Sequence, residues 1–263
     1  MQRLTGVNTE VAGANQYKVA LIIASVRTRL NLKAMRPLLS TGIRAIAAAW
    51  CLFAFASGLA QAQTATGSVE AGKTKVAMCI GCHGLPDYKA SFPEVYRVPM
   101  IAGQNAKYIV SALTAYSKGE RKHPTMRSIA GSMSEQDMLD VAAFYEVQGG
   151  KAVSVSADLA AAPDNIKPLL VKGACVSCHG PNLSTPIDGT YPKLAGQHGD
   201  YLYNSLKSYK TEGNALVGRS NGVMVAQVKN FSLKELKLLS AYIGSLPTEM
   251  KSVPDPFFHH ASR

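Results

Sequence analysis

The sequence predicts an all-α protein built by tandem duplication, and three observations carry that expectation. The run Cys79-Ile80-Gly81-Cys82-His83 recurs as Cys175-Val176-Ser177-Cys178-His179. Superposing the two runs sets an offset of 96 residues and brings their flanks into register. After each run, apolar residues recur at helical spacing, with no convincing alternation of the kind a half-buried strand requires.

C-x-x-C-H is the attachment signature of a c-type haem. Two thiols about one helical turn apart can each form a thioether to one of the two vinyl groups of a porphyrin. The adjacent histidine then offers an imidazole nitrogen to the iron. One such run would leave a zinc or redox site open. Two runs with the same downstream pattern are hard to explain otherwise. Cys79, Cys82, Cys175 and Cys178 are therefore the expected attachment points of two haem c groups, with His83 and His179 as iron ligands.

The chain has 263 residues and a formal charge of +11, and its first sixty residues distort both figures. Arg36 and Arg44 flank the start of the apolar run Ala45–Ala56, and Ala60-Gln61-Ala62 is a small-x-small cleavage pattern. Residues 1–62 read as a secretory signal peptide with an over-extended N-terminus, Met35 being a candidate true start and Gln63 the first mature residue. The apolar run is short for a membrane-spanning helix. From Gln63 onward, 21 Lys and Arg stand against 16 Asp and Glu, a charge of +5. The propionates of two haems largely cancel it. The high pI is thus no argument for nucleic-acid binding, and no basic cluster is interleaved with aromatics. Cys51 falls in the leader, and the other four cysteines all lie in the two runs. None is left for a disulfide or a catalytic thiol. Attachment of haem c outside the bacterial cytoplasm agrees with export to the periplasm.

The repeat orders the rest. Pro99-Met100-Ile101-Ala102-Gly103-Gln104 faces Pro192-Lys193-Leu194-Ala195-Gly196-Gln197, Tyr108 faces Tyr201, Tyr116 faces Tyr209, and Met126 through Tyr145 faces Met224 through Ile243. Each unit reads as three main helices. The first runs into the C-x-x-C-H motif. The second starts near Asn105 or His198 and carries Tyr108, Ile109, Leu113 and Tyr116, or Tyr201, Leu202, Leu206 and Tyr209. The third starts at Ser134 or Ser232 with a capping-box pattern or a close variant of it. Its inward face is Met138, Val141, Ala142 and Tyr145, or Leu236, Leu239, Ser240 and Ile243. The expected organisation is a first domain over 63–150, a Gly/Ala/Ser-rich linker over 151–162, a second domain over 163–253 and a loose tail over 254–263. Haem fills much of a core that is otherwise thin for so short a chain.

The sixth iron ligand decides function, because a haem held by two protein ligands mainly transfers electrons. Met78 adjoins the attachment motif and cannot reach the opposite face. Met100 faces Lys193, Met133 faces Phe231 and Met138 faces Leu236, so none has a methionine counterpart. Met126 faces Met224, each eight residues before the serine that opens the last helix. The repeat selects Met126 and Met224. His123 is the rival in the first unit, but it faces Asn221 and reads as a surface residue; His198 reads as a cap or surface residue. His259 and His260 lie in the tail. Tyr108, Tyr116, Tyr201 and Tyr209 either hydrogen-bond around the haems or simply pack. Met ligation favours the reduced iron and raises the potential relative to two histidines.

With C-x-x-C-H-G, then P-x-[IL]-A-G-Q, a Tyr-containing helix, a Met and a capped helix, all twice, the mature chain resembles the cytochrome c4 family, two class I cytochrome c domains in tandem. The resemblance implies that Cys79, Cys82, His83 and Met126 hold one haem, and Cys175, Cys178, His179 and Met224 the other. It also implies domains packed with their haem propionates close together. The implied role is a periplasmic electron carrier, soluble or peripherally membrane-associated. It takes single electrons from respiratory donors (a cytochrome bc1-type complex or a dehydrogenase) to a terminal oxidase, without being an enzyme itself. Competing expectations are a cytochrome subunit of a periplasmic dehydrogenase and a dihaem peroxidase or thiosulfate dehydrogenase. The last two need an open or non-Met distal position. Two features depart from the family pattern: the loop Leu85–Val98 is longer and more aromatic than Pro181–Tyr191, and about five residues are inserted around Glu212–Ser220.

Overall fold

The computed structural model describes residues 66–150 and 162–252. The expected signal peptide, all of the expected linker except Ala162, and the tail lie outside the described residues. Ten helices and four two-residue strands are found among the described residues, five helices in each half. The all-α, duplicated fold is as expected.

In the first half, α1 (Val69–Lys75) and α2 (Ala77–His83) precede a small hairpin of β1 (Lys89–Ala90) and β2 (Tyr96–Arg97). Then come α3 (Ala106–Ser117), β3 (Arg121–Lys122), α4 (Pro124–Gly131) and α5 (Glu135–Val147). The second half repeats this order as α6 (Lys167–Lys172), α7 (Cys175–His179), α8 (Gly199–Ser208), β4 (Gly218–Arg219), α9 (Gly222–Val228) and α10 (Leu233–Ser245). The three-helix expectation needs two corrections. The helix leading into C-x-x-C-H is broken, at Val76 in one half and at Gly173-Ala174 in the other, where Ala174 takes φ +44°. The haem motif therefore starts a short helix of its own. The second correction is α4 and α9, which carry Met126 and Met224 and are too short to show a clear period in sequence.

Both capping boxes form. The Ser134 and Ser232 hydroxyls accept from the Asp137 and Glu235 N–H groups, and those carboxylates accept from the serine N–H groups in return. Such caps stabilise a helix by roughly 1 kcal/mol. The predicted inward faces of α5 and α10 are buried at every position named. Each half has its own apolar core, one around Val76, Leu113, Val141 and Tyr145, the other around Leu170, Leu183, Leu236 and Ile243, with Ala162 inside the second.

Helices α1 and α5 cross closely because Gly72 sits at the contact; a Cβ there would lie 2.1 Å from the Asp140 carbonyl oxygen and 2.7 Å from Phe144 Cβ. Asp140 is the one buried acid on α5. It accepts from the Ser68 N–H at 2.8 Å and from Lys75 Nζ at 2.6 Å, and Lys75 also reaches Asp137 at 2.6 Å.

Two predictions follow from this crossing. Gly72→Ala over-packs it and should lower stability by about 1–3 kcal/mol in denaturant titration of the haem-loaded protein; an unchanged midpoint would show that the helices can part freely. The hydrogen bond from Lys75 is the main cause holding Asp137 down at about 2 and Asp140 below the usual carboxylate range. A carboxylate depressed in the folded state stabilises fully above its unfolded pKa of roughly 4, and that contribution fades as pH falls toward the folded value. Stability should therefore drop between about pH 4 and pH 2, and Asp140→Asn, measured by the same titration across pH, should flatten that limb.

Candidate functional site

The two halves pack as one body through contacts that repeat across a pseudo-two-fold axis. Strands β3 and β4 pair antiparallel, with Arg121 opposite Arg219, residues that are equivalent in the repeat. Gln104, at the end of the first A-G-Q, reaches across to Lys193: its Oε1 accepts from the Lys193 N–H at 2.9 Å and its Nε2 donates to the Lys193 carbonyl at 3.0 Å. Gln197 does the same to Met100, at 3.0 and 2.8 Å. The motif thus has a meaning residue by residue. Ala102 and Ala195 are buried, Gly103 and Gly196 take φ +84° and +68°, and the glutamines hook the opposite half. Met250, buried at 3 % exposure, puts its sulfur 3.4 Å from Gln104 Nε2 and 3.9 Å from Gln197 Nε2. The next residue ties this segment to the first half, Lys251 N–H donating to Ala102 O at 3.1 Å.

The long loop flagged in the sequence is an asymmetric addition to this joint. Arg97 donates to Asp200, Glu94 accepts from Lys207 at 2.5 Å and Asn204 at 3.2 Å, and Tyr96 packs on Tyr201. The insertion before β4 also meets the first half, where Lys122 Nζ donates to the Asn214 carbonyl at 2.5 Å.

Between the halves lies one continuous cavity of about 1180 Å³, above the upper end of roughly 1,000 Å³ usual for a pocket that takes one small ligand. It is lined from the first half by Cys82, His83, Met100 and Met126, and from the second by Cys175, Cys178, His179 and Met224. The structure therefore brings together predicted residues from both halves. Cys79 stands just behind, half-buried against the first core, where burial pushes its thiol up to about 11. Burial likewise raises Cys175. No disulfide joins any of these four cysteines. Among the described residues there is no group of three or more His, Cys, Asp or Glu placed to hold a metal ion.

The histidines are held identically. His83 Nδ1 lies 2.9 Å from the Pro99 carbonyl oxygen, and His179 Nδ1 lies 2.9 Å from that of Pro192. A carbonyl only accepts, so each Nδ1 carries the proton and each Nε2 presents its lone pair. Burial lowers both pKa values and keeps the rings neutral. The methionines sit on α4 and α9, whose N-termini are capped by equivalent residues. His123 Nδ1 accepts from the Met126 N–H at 3.3 Å, and Asn221 Oδ1 accepts from the Met224 N–H at 3.1 Å. His123 is thus a cap, packed edge-on against Phe92, which explains its pairing with an asparagine in the repeat. His198 occupies the N-cap position of α8 but makes no side-chain cap bond. Met78 is exposed, while Met133 and Met138 pack in the first core.

Sequence reasoning missed the cavity's charge. Arg121 donates to Tyr108 Oη at 3.2 Å and Tyr201 Oη at 2.6 Å and stacks on Tyr116; Arg219 donates to Ser205 Oγ at 2.8 Å and Tyr201 Oη at 3.4 Å and stacks on Tyr209. The four tyrosines left open in the sequence converge on these two guanidiniums. Burial raises the Tyr201 phenol, but the two arginines outweigh it and bring it down to about 7. The signal was available: each arginine lies five residues before its methionine in the repeat. The Arg121 Nε is buried without a partner, an orphaned cationic donor in a cavity wall, and the carboxylates of haem fit that need.

Comparison with known proteins agrees with this construction. The Cytochrome c family model matches residues 164–247. Cytochrome c4 of Stutzerimonas stutzeri is 32 % identical over 200 residues, 69 % of this chain and 90 % of that protein. The crystal structure of reduced recombinant cytochrome c4 from Pseudomonas stutzeri aligns over 69 % of this chain and all of that one, with a TM-score of 0.52 and 30 % identity. The thiosulfate dehydrogenase electron acceptor of Stutzerimonas stutzeri (strain A1501) is 31 % identical over 174 residues, 60 % of this chain and 79 % of that one. The fold and site define a c-type cytochrome with haem c as its cofactor. The chain belongs to the cytochrome c4 family.

Arg121→Leu removes a buried positive charge from the cavity and should lower the midpoint potential of the loaded protein, by on the order of 1 kcal/mol in the redox equilibrium. Potentiometric titration reads this directly, and an unchanged potential would place the guanidinium outside the electrostatic reach of the iron.

Proposed function

We propose that this chain holds two haem c groups, one per half, both with His/Met axial ligands, and passes single electrons between periplasmic redox proteins without turning over a substrate. The observation that carries this reading is the shared cavity, lined by a C-x-x-C-H motif and a capped methionine from each half. Cys79 and Cys82, and Cys175 and Cys178, provide the covalent attachment; His83 and His179 provide the proximal nitrogen; Met126 and Met224 provide the opposing sulfur. Each bound group supplies a one-electron ferric–ferrous couple. The protein's own work is to keep these ligands still. The Pro99 and Pro192 carbonyls fix the imidazole tautomer. Caps at His123 and Asn221 fix the methionine helices. A site that barely rearranges on reduction exchanges electrons quickly.

The expected donors are a cytochrome bc1-type complex or a dehydrogenase, and the expected acceptor is a terminal oxidase. Export follows from the expected signal peptide over 1–62, with a domain over 63–150 and another over 163–253. Among the described residues no helix is long and apolar enough to cross a membrane. A second reading rests on the relative named as a thiosulfate dehydrogenase electron acceptor. Under it the same haem chemistry serves one dedicated dehydrogenase, and a faster stopped-flow reduction by that enzyme than by bc1-type donors distinguishes the two.

Pyridine haemochrome assay should give two haems per chain. Met126→Ala and Met224→Ala should each remove about half of the Met–iron charge-transfer band of the oxidised protein. A band unchanged in either variant contradicts that ligand.

A further inference from the structure

The peptide that holds each proximal histidine is itself held by the other half. His83 Nδ1–H donates to the Pro99 carbonyl, and the N–H of that same peptide group, Met100 N–H, donates to Gln197 Oε1 at 3.0 Å. His179 Nδ1–H donates to the Pro192 carbonyl, and the N–H of that peptide group, Lys193 N–H, donates to Gln104 Oε1 at 2.9 Å. Both glutamines are 3 % exposed. Their amide orientation is fixed, because each Oε1 also accepts from the following N–H, of Asn105 or His198, at 3.0 Å. Each Nε2 donates to the carbonyl of the captured residue, so these buried amides are satisfied. Hydrogen bonds in such a chain polarise one another. An acceptor on the peptide N–H makes the carbonyl at its other end a stronger acceptor, which draws the Nδ1 proton and makes Nε2 a better electron donor.

We infer that Gln197 and Gln104 are crossed positioning residues: each tunes the reduction potential of the haem bound in the opposite half, through the peptide that orients that haem's histidine. This rests on the proposed assignment of one His/Met haem to each half. The crossing has a functional consequence. A movement of one half relative to the other changes the donor strength of both histidines at once, so docking of a partner on either half is felt at both irons.

The test is a redox titration of the holoprotein, following each haem separately through its haem-methyl NMR signals, assigned with the Met126→Ala and Met224→Ala variants. Gln197→Leu should raise the potential of the His83 haem, with about a threefold change in its oxidised-to-reduced ratio, roughly 30 mV at 59 mV per tenfold. The His179 haem should stay within a small fraction of that. Gln104→Leu should do the reverse. Gln197→Glu keeps an acceptor on the Met100 N–H and makes it anionic, and should shift the His83 haem downward by more than the other, which keeps the test open if the leucine variant loads haem poorly. Glu94→Ala loosens the joint outside the relay and should move neither potential selectively. Equal shifts at both haems, a shift at the haem of the same half, or no shift in a two-haem protein would overturn the inference. Fewer than two haems per wild-type chain would instead overturn the reading beneath it.

Discussion

Two buried glutamine amides organise this molecule. A peptide group that accepts from a histidine on one side and must bury its N–H on the other needs a partner, because an unsatisfied buried donor costs about 1–3 kcal/mol. Neither half supplies that partner for itself. The N–H groups of Met100 and Lys193 are satisfied only when the halves meet face to face, each offering its own glutamine. That requirement places the two C-x-x-C-H motifs and the two methionine helices around one cavity.

The second organising constraint is charge. Arg121 and Arg219 are brought together by β3–β4 pairing and share the Tyr201 phenol. Two guanidiniums buried in a cavity wall are costly unless anions or aromatic faces accompany them. The tyrosines supply the faces, and haem carboxylates are suited to supply the anions. The hairpin β1–β2 breaks the symmetry. It reaches only from the first half to the second, through Arg97–Asp200 and Glu94–Lys207, and its Phe92 buttresses the cap of the Met126 helix. The Met224 helix is capped instead by Asn221. The two candidate ligand sets are thus alike and their surroundings differ; under the proposed ligation that asymmetry sets the two haems apart in potential.

Much of this was legible in the sequence because the chain is written twice. The offset between the motifs exposed the helices that have clear periods, α3, α5, α8 and α10; the named faces of α5 and α10 came out buried at every position, whereas on α3 and α8 the aliphatic Ile109, Leu113 and Leu202 are buried and the tyrosines only partly so. It also singled out Met126 and Met224, which the structure places at the same cavity as the histidines. What stayed hidden was whatever acts between the copies. Gln104 and Gln197 were visible as a repeated motif, but a hydrogen bond to the other copy leaves no periodic trace. Arg121 and Arg219 sat in register in the repeat, but their place in the cavity wall is created by the joint. The breaks at Val76 and Ala174, and the short helices α4 and α9, depend on tertiary packing that local propensity does not encode. Met250 followed the last helix and matched nothing in the first half, so only the structure reveals it as the filler between the two amides.

On the reading proposed above, one face-to-face joint builds both haem-iron sites around a single cavity. The most direct measurement is anomalous diffraction at the iron edge from crystals of the haem-loaded protein. Two iron atoms are expected inside the cavity between the halves, one bonded to His83 Nε2 and Met126 Sδ, the other to His179 Nε2 and Met224 Sδ. A single iron, or two irons facing away from the joint with Gln104 and Gln197 released from the opposite half, would contradict it.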